Sequence, residues 1–411
     1  MRRIVVLLVL ALVVGLWPAA SGVAHGSTAA QAAPARSLQA DFNSDGADDL
    51  AVGVPLDDVG TVVGAGAVNV LYGSSPGGLT GTGSQLLSQD TPGVPGNAEV
   101  DDGFGFALAS GDFNGDTFAD LAVGAPGEGV GTAAAAGAVN VLYGSATGLT
   151  GTGSQLFTQV GGAAEAGDEF GAALAAGDFN SDTFADLAAG APREGLLSNN
   201  QHGAFSVLPG SATGLTGTGG QLFTQETPGV PGNAEVGDEF GFALATGDFN
   251  GDTFADVAAG TPFEEVTGAA DAGAVNVLYG SATGLTGTGS QLFSQVGGAV
   301  EPGDEFGFAL AAGDFNSDTF ADLAAGAPFE DVGSTPDAGA VSVLPGSAGG
   351  LTVVGGQLFT QDSPGVPGSA QELDIFGFTL ATGDPGPAAT PAPAASASGP
   401  SSRTRRTAPV R

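Results

Sequence analysis

Acidic and amide side chains recur at alternate positions in the segment from Asp112 to Asp120, which reads DFNGDTFAD. Asp112, Asn114, Asp116 and Asp120 occupy positions 1, 3, 5 and 9 of this segment. Oxygen ligands on alternate residues of a tight turn can surround one hard cation, and the main-chain carbonyl of position 7 adds a ligand. Because sulfur and nitrogen ligands are lacking, the pattern indicates Ca²⁺ rather than zinc or copper.

The same pattern occurs five times, and we name the segments loops 1 to 5 in chain order. The sequence therefore predicts up to five bound Ca²⁺ ions. The alternative is a set of acidic turns whose side chains hydrogen-bond the backbone, but three like charges within nine residues favour a cation. The predicted ligands, with main-chain carbonyls from Ala47 and the four phenylalanines, are Asp41, Asn43, Asp45, Ala47 and Asp49; Asp112, Asn114, Asp116, Phe118 and Asp120; Asp178, Asn180, Asp182, Phe184 and Asp186; Asp248, Asn250, Asp252, Phe254 and Asp256; and Asp314, Asn316, Asp318, Phe320 and Asp322.

Position 6 distinguishes loop 1 from the others. It is Gly46 in loop 1 and threonine in loops 2 to 5. If the turn requires a positive φ at this position, a β-branched residue adds strain of about 1 to 3 kcal/mol. We therefore expect weaker Ca²⁺ binding in the four loops that carry threonine.

Short phrases recur in fixed order around each loop and predict the elements that position it. A phrase such as FGFALA precedes the loop, and phrases such as DLAVGAP, GAVNVLYG and SQLFTQ follow it. Each phrase is short, alternating and bounded by Gly or Pro, which is typical of a β-strand. Four strands per unit, repeated with both faces apolar, predict an all-β fold: a β-propeller of about five four-stranded blades.

The ends of the array leave two interpretations open. The phrase that starts at Phe376 is a first strand without a following unit, so it could pair with the blade begun near Asp41 and close a ring. Alternatively, the gene is truncated or frameshifted after Asp384, where a sixth acidic loop gives way to Pro-rich sequence.

The flanking segments differ from the array in composition. Residues 1–32 contain a basic start and an apolar run and predict a secretory signal peptide, cleaved after Ala24 or Ala32. Residues 33–40 form a short lead, residues 41–384 the propeller, and residues 385–411 a disordered tail rich in Pro, Ala, Ser and Arg. The sequence thus predicts a secreted or cell-surface protein without a transmembrane span after signal cleavage.

Charge and composition restrict the partners. All 44 acidic residues and a single base, Arg193, lie between Ser37 and Asp384. This charge repels nucleic acid, so we expect no nucleic-acid partner. Cysteine is absent, so no disulfide contributes to stability.

The segment from Phe104 to Pro126, FGFALASGDFNGDTFADLAVGAP, resembles FG-GAP repeats. These repeats form the blades of the integrin alpha-subunit propeller and occur in many exported bacterial proteins. The resemblance extends from Asp41 to Asp384 and implies a calcium-bearing propeller used for adhesion or ligand binding. Thr at position 6 departs from the glycine usual in the family, and five units fall short of the seven blades of integrins.

The residue inventory favours a binding protein over an enzyme. The predicted mature chain lacks Cys, Lys and Trp, and His202 is interpreted as a surface residue. We interpret the acidic pairs Asp168-Glu169, Asp238-Glu239 and Asp304-Glu305 as solvated turns rather than a glycosidase centre. Tyr72, Tyr143 and Tyr279 are expected in the core rather than in a sugar-binding platform.

We therefore expect a secreted adhesion or ligand-binding module for an extracellular protein or carbohydrate. Two alternatives remain at this point. One is an exported hydrolase or lectin-like protein with a site on the loops between blades, because a fold by itself does not determine an activity. The other is a passive extracellular scaffold.

Overall fold

The computed structural model describes residues 40–195 and 201–382. Within these ranges the chain forms 19 β-strands in five antiparallel sheets and no helix. The predicted signal peptide, most of the lead and the predicted tail lie outside the described residues. The strands are β1 (Leu50–Val54), β2 (Ala67–Tyr72) and β3 (Thr80–Leu87) in sheet 1; β4 (Leu108–Gly111), β5 (Asp120–Ala125), β6 (Ala138–Tyr143) and β7 (Thr150–Phe157) in sheet 2; β8 (Ala173–Gly177), β9 (Asp186–Ala191), β10 (Ala204–Leu208) and β11 (Gln221–Phe223) in sheet 3; β12 (Leu244–Gly247), β13 (Asp256–Thr261), β14 (Ala274–Tyr279) and β15 (Thr286–Phe293) in sheet 4; and β16 (Leu310–Gly313), β17 (Asp322–Ala327), β18 (Ala340–Leu344) and β19 (Gln357–Phe359) in sheet 5.

Each sheet is built from one sequence unit, and its strands pair in chain order. We number the units 1 to 5 by their sheets. Four strands are present in sheets 2 to 5, as predicted, whereas sheet 1 has three among the described residues. The all-β architecture of stacked four-stranded units is that of propeller blades.

The first strand of each unit is shorter than predicted. In unit 2 it begins at Leu108, because Phe104 to Ala107 form a turn in which the Phe106 N–H donates to the Gly103 carbonyl at 2.9 Å. Gly105 has a φ of 93°, which is incompatible with an extended strand. Only the last residues of the FGFALA phrase therefore form a strand.

The glycine of this turn brings consecutive units into backbone contact. A Cβ on Gly53, in β1, would lie 2.0 Å from the carbonyl oxygen of Gly105. A Cβ on Gly124, in β5, would meet the carbonyl oxygen of Gly171 at the same distance. Each unit thus uses a glycine in its second strand to receive the Phe-Gly turn of the next unit.

Four hydrophobic cores lie between consecutive sheets. Each combines the strand formed by the GAVNVLYG-type phrase of one unit, which is β2 in sheet 1, with the strand that follows the acidic loop of the next unit. This arrangement buries both faces of the central strands, as the sequence predicts; all six residues of β6 are buried. Because each unit completes the core of its neighbour, stability is shared between adjacent units. Residues from the two strands of each core are Val68, Val70, Leu121 and Val123; Val139, Val141, Leu187 and Ala189; Phe205, Val207, Val257 and Ala259; and Val275, Val277, Leu323 and Ala325.

The predicted ring closure is wrong for the described residues. The segment from Phe376 packs on unit 5, with the rings of Phe378 and Phe308 4.8 Å apart, but forms no strand and does not pair with β1. In other units this segment pairs with the strand that follows the acidic loop, and the sequence after Asp384 contains no such phrase. Phe315, at position 2 of loop 5, is 49% exposed, whereas the phenylalanines at position 2 of loops 1 to 4 are buried. The loop face of unit 5 is therefore uncovered.

Candidate metal centre

In units 2 to 5 the acidic loop joins the first and second strands, and loop 1 directly precedes β1. Gly111 and Asp120 are paired residues of β4 and β5, so the eight residues between them must reverse the chain within one tight loop. The Asp116 N–H consequently donates to Asp112 Oδ1 at 3.1 Å and to Asn114 Oδ1 at 2.8 Å. The structure therefore brings positions 1, 3 and 5 of the loop together.

The side chains at positions 1 and 5 accept hydrogen bonds from the loop itself. Asp112 Oδ2 accepts the Thr117 N–H at 2.9 Å, and Asp116 Oδ1 accepts the Phe118 N–H at 3.0 Å. Both bonds recur in all five loops. Loop 5 differs at position 3, where Asn316 Nδ2 donates to Asp322 Oδ1 at 3.2 Å.

The aspartate at position 9 anchors the loop to the sheet. Asp120 is fully buried; its Oδ2 accepts the Phe113 N–H and its Oδ1 the Gly144 N–H, each at 2.9 Å. Burial raises the pKa of Asp120 to about 8, partly offset by the bonds from Gly144 and Phe113, and the carboxylates of Asp116 and Asp112 raise it further. Sequence reasoning assigned this residue as a ligand and missed its bond to the end of the third strand.

The donor set of the loop suits a hard cation. Asp112, Asn114 and Asp116 contribute two carboxylates and one amide, and a carboxylate oxygen that accepts one N–H keeps a further lone pair. Across residues 40–195 and 201–382, no group of three or more His, Cys, Asp or Glu side chains is arranged to hold a metal ion. A Ca²⁺ ion in the loop would therefore use main-chain or water oxygens besides these three side chains.

Position 6 has the conformation anticipated from the sequence. Thr117, Thr183, Thr253 and Thr319 have φ values of 77°, 79°, 77° and 81°, and Gly46 has 84°. No atom lies within 4 Å of a Cβ placed on Gly46, so the difference between the loops is one of backbone strain rather than space. Four loops therefore place a β-branched residue in the left-handed region.

Consecutive loops are hydrogen-bonded to each other. The carbonyl of Asp112, at position 1 of loop 2, accepts the N–H of Ala185, at position 8 of loop 3, at 2.9 Å. Equivalent bonds join all the remaining consecutive pairs of loops. The side chain at position 7 adds to this contact. The ring of Phe184 packs so closely on Gly115 that a Cβ there would lie 2.6 Å from the ring. The five loops thus form one continuous row along one end of the sheets.

The acidic pairs at the opposite end of the sheets are buried, and their interpretation as solvated turns is wrong. Asp168, Asp238 and Asp304 are 1 to 2% exposed, and Glu305 is 3% exposed. Backbone hydrogen bonds join these turns to the preceding unit, as from the Glu305 N–H to the Asp271 carbonyl at 3.2 Å, a contact that local sequence does not reveal. The recurrence of Asp before Phe-Gly, and of Glu after the Ala-Pro phrase, was the available signal.

Arg193 compensates part of this buried charge. Its Nη1 donates to Glu169 Oε1 at 2.6 Å, and its Nε lies 3.6 Å from Glu239 Oε1. Phe263 occupies the equivalent position one unit later, so Glu305 has no arginine beside it. Burial and the carboxylates of Asp271, Glu239 and Asp337 raise the pKa of Glu305 to about 9.

Other residues singled out in the sequence lie away from the loops. Tyr72 and Tyr143 are buried, as predicted, and their hydroxyls donate to Gln85 and Gln155. His202 is half-buried rather than a plain surface residue, and its carbonyl accepts the Phe240 N–H at 2.9 Å.

A comparison with known protein families agrees with this repeated geometry. The FG-GAP repeat model matches residues 104–142, 170–208, 240–278 and 306–344, which cover the first three strands and the acidic loop of units 2 to 5. The chain contains four FG-GAP repeats. Unit 1 lies outside the matched ranges, although its loop has the same hydrogen bonds.

The FG-GAP region is also similar to segments of larger proteins. It is 32% identical to integrin alpha-PS2 of Drosophila melanogaster over 238 residues, which are 55% of this chain and 15% of that protein. Identity to the phosphatidylinositol-glycan-specific phospholipase D of Bos taurus is 35% over 163 residues, 39% of this chain and 18% of the enzyme. Integrin alpha-5 of Xenopus laevis is 31% identical over 228 residues, with 54% and 20% covered.

These FG-GAP relatives are much longer than the region they share with the chain, which covers a fifth or less of each. The similarity therefore concerns the repeat array. In the described part of the chain, no helix has the length and apolar character needed to cross a membrane.

Proposed function

We propose that this FG-GAP protein is an extracellular ligand-binding module whose acidic loops bind Ca²⁺. The observation that carries the proposal is the row of five loops with the same hydrogen-bonded geometry and oxygen donors. Ca²⁺ in these loops would neutralise the crowded carboxylates and stabilise the contacts between consecutive units. The similarity to integrin alpha subunits supports an extracellular role.

The ligand surface is placed at the end of the sheets opposite the acidic loops. In an antiparallel sheet, the connection from the second to the third strand lies at the other end from the first connection. These second connections differ between units, at residues 127–136, 266–272 and 332–338, whereas the strands are nearly identical. Variable loops on a repeated scaffold are the usual location of binding specificity. We infer an extracellular protein or carbohydrate as the ligand.

The absence of Cys and Lys from the whole sequence, with a half-buried His202, leaves few groups for nucleophilic chemistry. We therefore favour binding over catalysis.

Thermal unfolding of the protein with Ca²⁺, with Mg²⁺ and with a chelator tests the metal part of the proposal. At free Ca²⁺ about a hundred times the Kd, each occupied loop adds about 2.7 kcal/mol to the free energy of unfolding. Asp116→Asn should reduce this stabilisation, whereas Asp57→Asn, the same change at an exposed residue outside the loops, should leave it intact. Equal midpoints with Ca²⁺ and with chelator would contradict Ca²⁺ binding.

The binding part needs a separate assay. The protein would be applied to a glycan array and to a set of purified extracellular proteins, with Ca²⁺ and with chelator. We expect Ca²⁺-dependent retention on one class of ligand. Retention that is equal in chelator would support binding but remove the role assigned to Ca²⁺, and no retention on either set would contradict the binding proposal.

A further inference from the structure

Four buried pairs of carboxyl groups lie between the units, apart from the acidic loops. Each pair combines the aspartate two positions before the phenylalanine of Phe-Gly with the glutamate that follows the second strand. We call them acid pairs 1 to 4. Every member is at most 9% exposed, although none of them contacts the row of loops. The pairs are Asp102 and Glu128, Asp168 and Glu194, Asp238 and Glu264, and Asp304 and Glu330.

Acid pair 3 shows the bonding that holds two carboxyl groups together. Asp238 Oδ2 accepts the Glu235 N–H at 2.6 Å, and Glu264 Oε2 accepts Gln225 Nε2 at 2.6 Å. The carboxyl groups of Asp238 and Glu264 also lie close enough to form a hydrogen bond with each other when one of them carries a proton. Ionised carboxylates only accept hydrogen bonds, so a bond between two carboxyl groups requires a proton on one of them.

The same arrangement is repeated at other junctions. Side-chain hydrogen bonds also join Asp168 to Glu194 and Asp304 to Glu330. In acid pair 1, Gln89 Nε2 donates to Glu128 Oε2 at 2.5 Å, as Gln225 does in acid pair 3.

Each acid pair connects two units. Gln225 follows the last strand of unit 3, Asp238 lies in the connection to unit 4, and Glu264 follows β13 of unit 4. Loss of the proton would place two negative charges within hydrogen-bonding distance in a buried junction, which is strongly unfavourable.

The charged groups that act on the acid pairs are all acidic. They are Glu99 and Asp101 for pair 1, Glu165 for pair 2, Glu235 and Glu265 for pair 3, and Glu301 and Asp331 for pair 4. Burial, reinforced by these charges, raises the pKa of Asp238 and of Glu330 to about 7. Arg193 contacts Glu169 and Glu239 rather than the members of the acid pairs, so a proton is the neutralising partner that the local chemistry supplies to the pairs.

We propose that acid pairs 2, 3 and 4 each hold one proton in the folded protein and that these protons lock consecutive units together, so that the array is tightest in acid and loosens as pH rises. The direction follows from linkage. A carboxyl whose pKa is raised on folding binds its proton more strongly in the native state, so unfolding releases protons. This stability is fully present below the unfolded pKa of about 4 and is lost as pH rises through the folded value of about 7.

The test is the number of protons released on unfolding near pH 6, measured for the full chain in saturating Ca²⁺ and in chelator. Glu264→Gln keeps a hydrogen bond to Asp238 without needing a proton. It should release about one proton fewer than the parent and should melt at a higher temperature than the parent at pH 8. Glu372→Gln, the same change at an exposed residue that does not act on the acid pairs, should behave as the parent.

Two results would overturn the proposal. Equal proton release by Glu264→Gln and the parent would show that the pair shares no proton. A pH dependence present in chelator but abolished by Ca²⁺ in the parent would assign a metal ion, not a proton, to the pair. If Glu264→Gln does not fold, Asp168→Asn tests the same prediction in acid pair 2. The outcome is independent of whether the acidic loops bind Ca²⁺, because both conditions are measured.

Discussion

The two ends of each unit contain carboxyl groups in opposite environments. At the loop end, Asp112 and Asp116 accept N–H groups of the turn itself, and the side chain of Asp116 is exposed. At the opposite end, Asp238 and Glu264 are both buried and interact with each other. On our proposals, similar acidic phrases are neutralised in different ways, by a metal ion in the loops and by a proton in the acid pairs, while Arg193 pairs with Glu169 and Glu239.

The largest expected effect is the loss of Arg193, the one base beside the buried acids. Arg193→Met leaves Glu169 and Glu239 without their cation, and removing one partner of a partly buried ion pair costs about 3 kcal/mol. Urea unfolding at pH 8 and at pH 5 would measure it. The loss should be smaller at pH 5, because burial raises the pKa of Glu239 to about 7 and this side chain is then protonated, and in the double variant with Glu239→Gln. An equal loss at both pH values would point to packing rather than charge.

Removal of the buried carboxyl group of Glu305 should instead raise the free energy of unfolding. Burial raises the pKa of Glu305 to about 9, so its contribution to stability is complete below about 4 and declines as pH rises through 9. Glu305→Gln cannot ionise and should be more stable than the parent by about 2 kcal/mol at pH 8. At pH 4 the two proteins should have similar midpoints in urea. A variant that is less stable at pH 8 would mean that the carboxylate has a cationic partner in solution.

The smallest effect is expected at position 6 of the loops. Thr117→Gly relieves a positive φ and should raise the free energy of unfolding by about 1 kcal/mol, after the larger entropy of glycine in the unfolded chain is subtracted. Gly46→Thr makes the reverse change in loop 1, where space is open, and should lower stability by a similar amount. Calorimetry should also show tighter Ca²⁺ binding in Thr117→Gly. Changes of the same sign in both variants would exclude backbone strain as the cause.

The sequence was sufficient for the features that depend on local pattern. Phrase spacing predicted the strands and their units. The glycine of loop 1 at position 6 raised the question of a positive φ, which the structure shows at Thr117. The bond from the Gly144 N–H to Asp120 was not accessible, because it joins residues from separate strands. The burial of Asp238 and Glu239 was also missed, since adjacent acids are typical of exposed turns and only the stacking of units covers them.

The shortened first strand has a similar explanation. FGFALA alternates as a strand does, but the contact of Gly105 with Gly53 in the preceding unit imposes a turn. Local pattern thus predicted which elements exist, while contacts between units determined where they begin and which acids are buried.

The most direct test of the account is the number of Ca²⁺ ions bound per chain, measured by equilibrium dialysis after chelator treatment. The account predicts up to five bound ions, with Asp116→Asn binding one fewer and Asp57→Asn binding as many as the parent. The absence of Ca²⁺ binding, or an unchanged number in Asp116→Asn, would show that the acidic loops are hydrogen-bonded turns and would contradict the proposed metal centre.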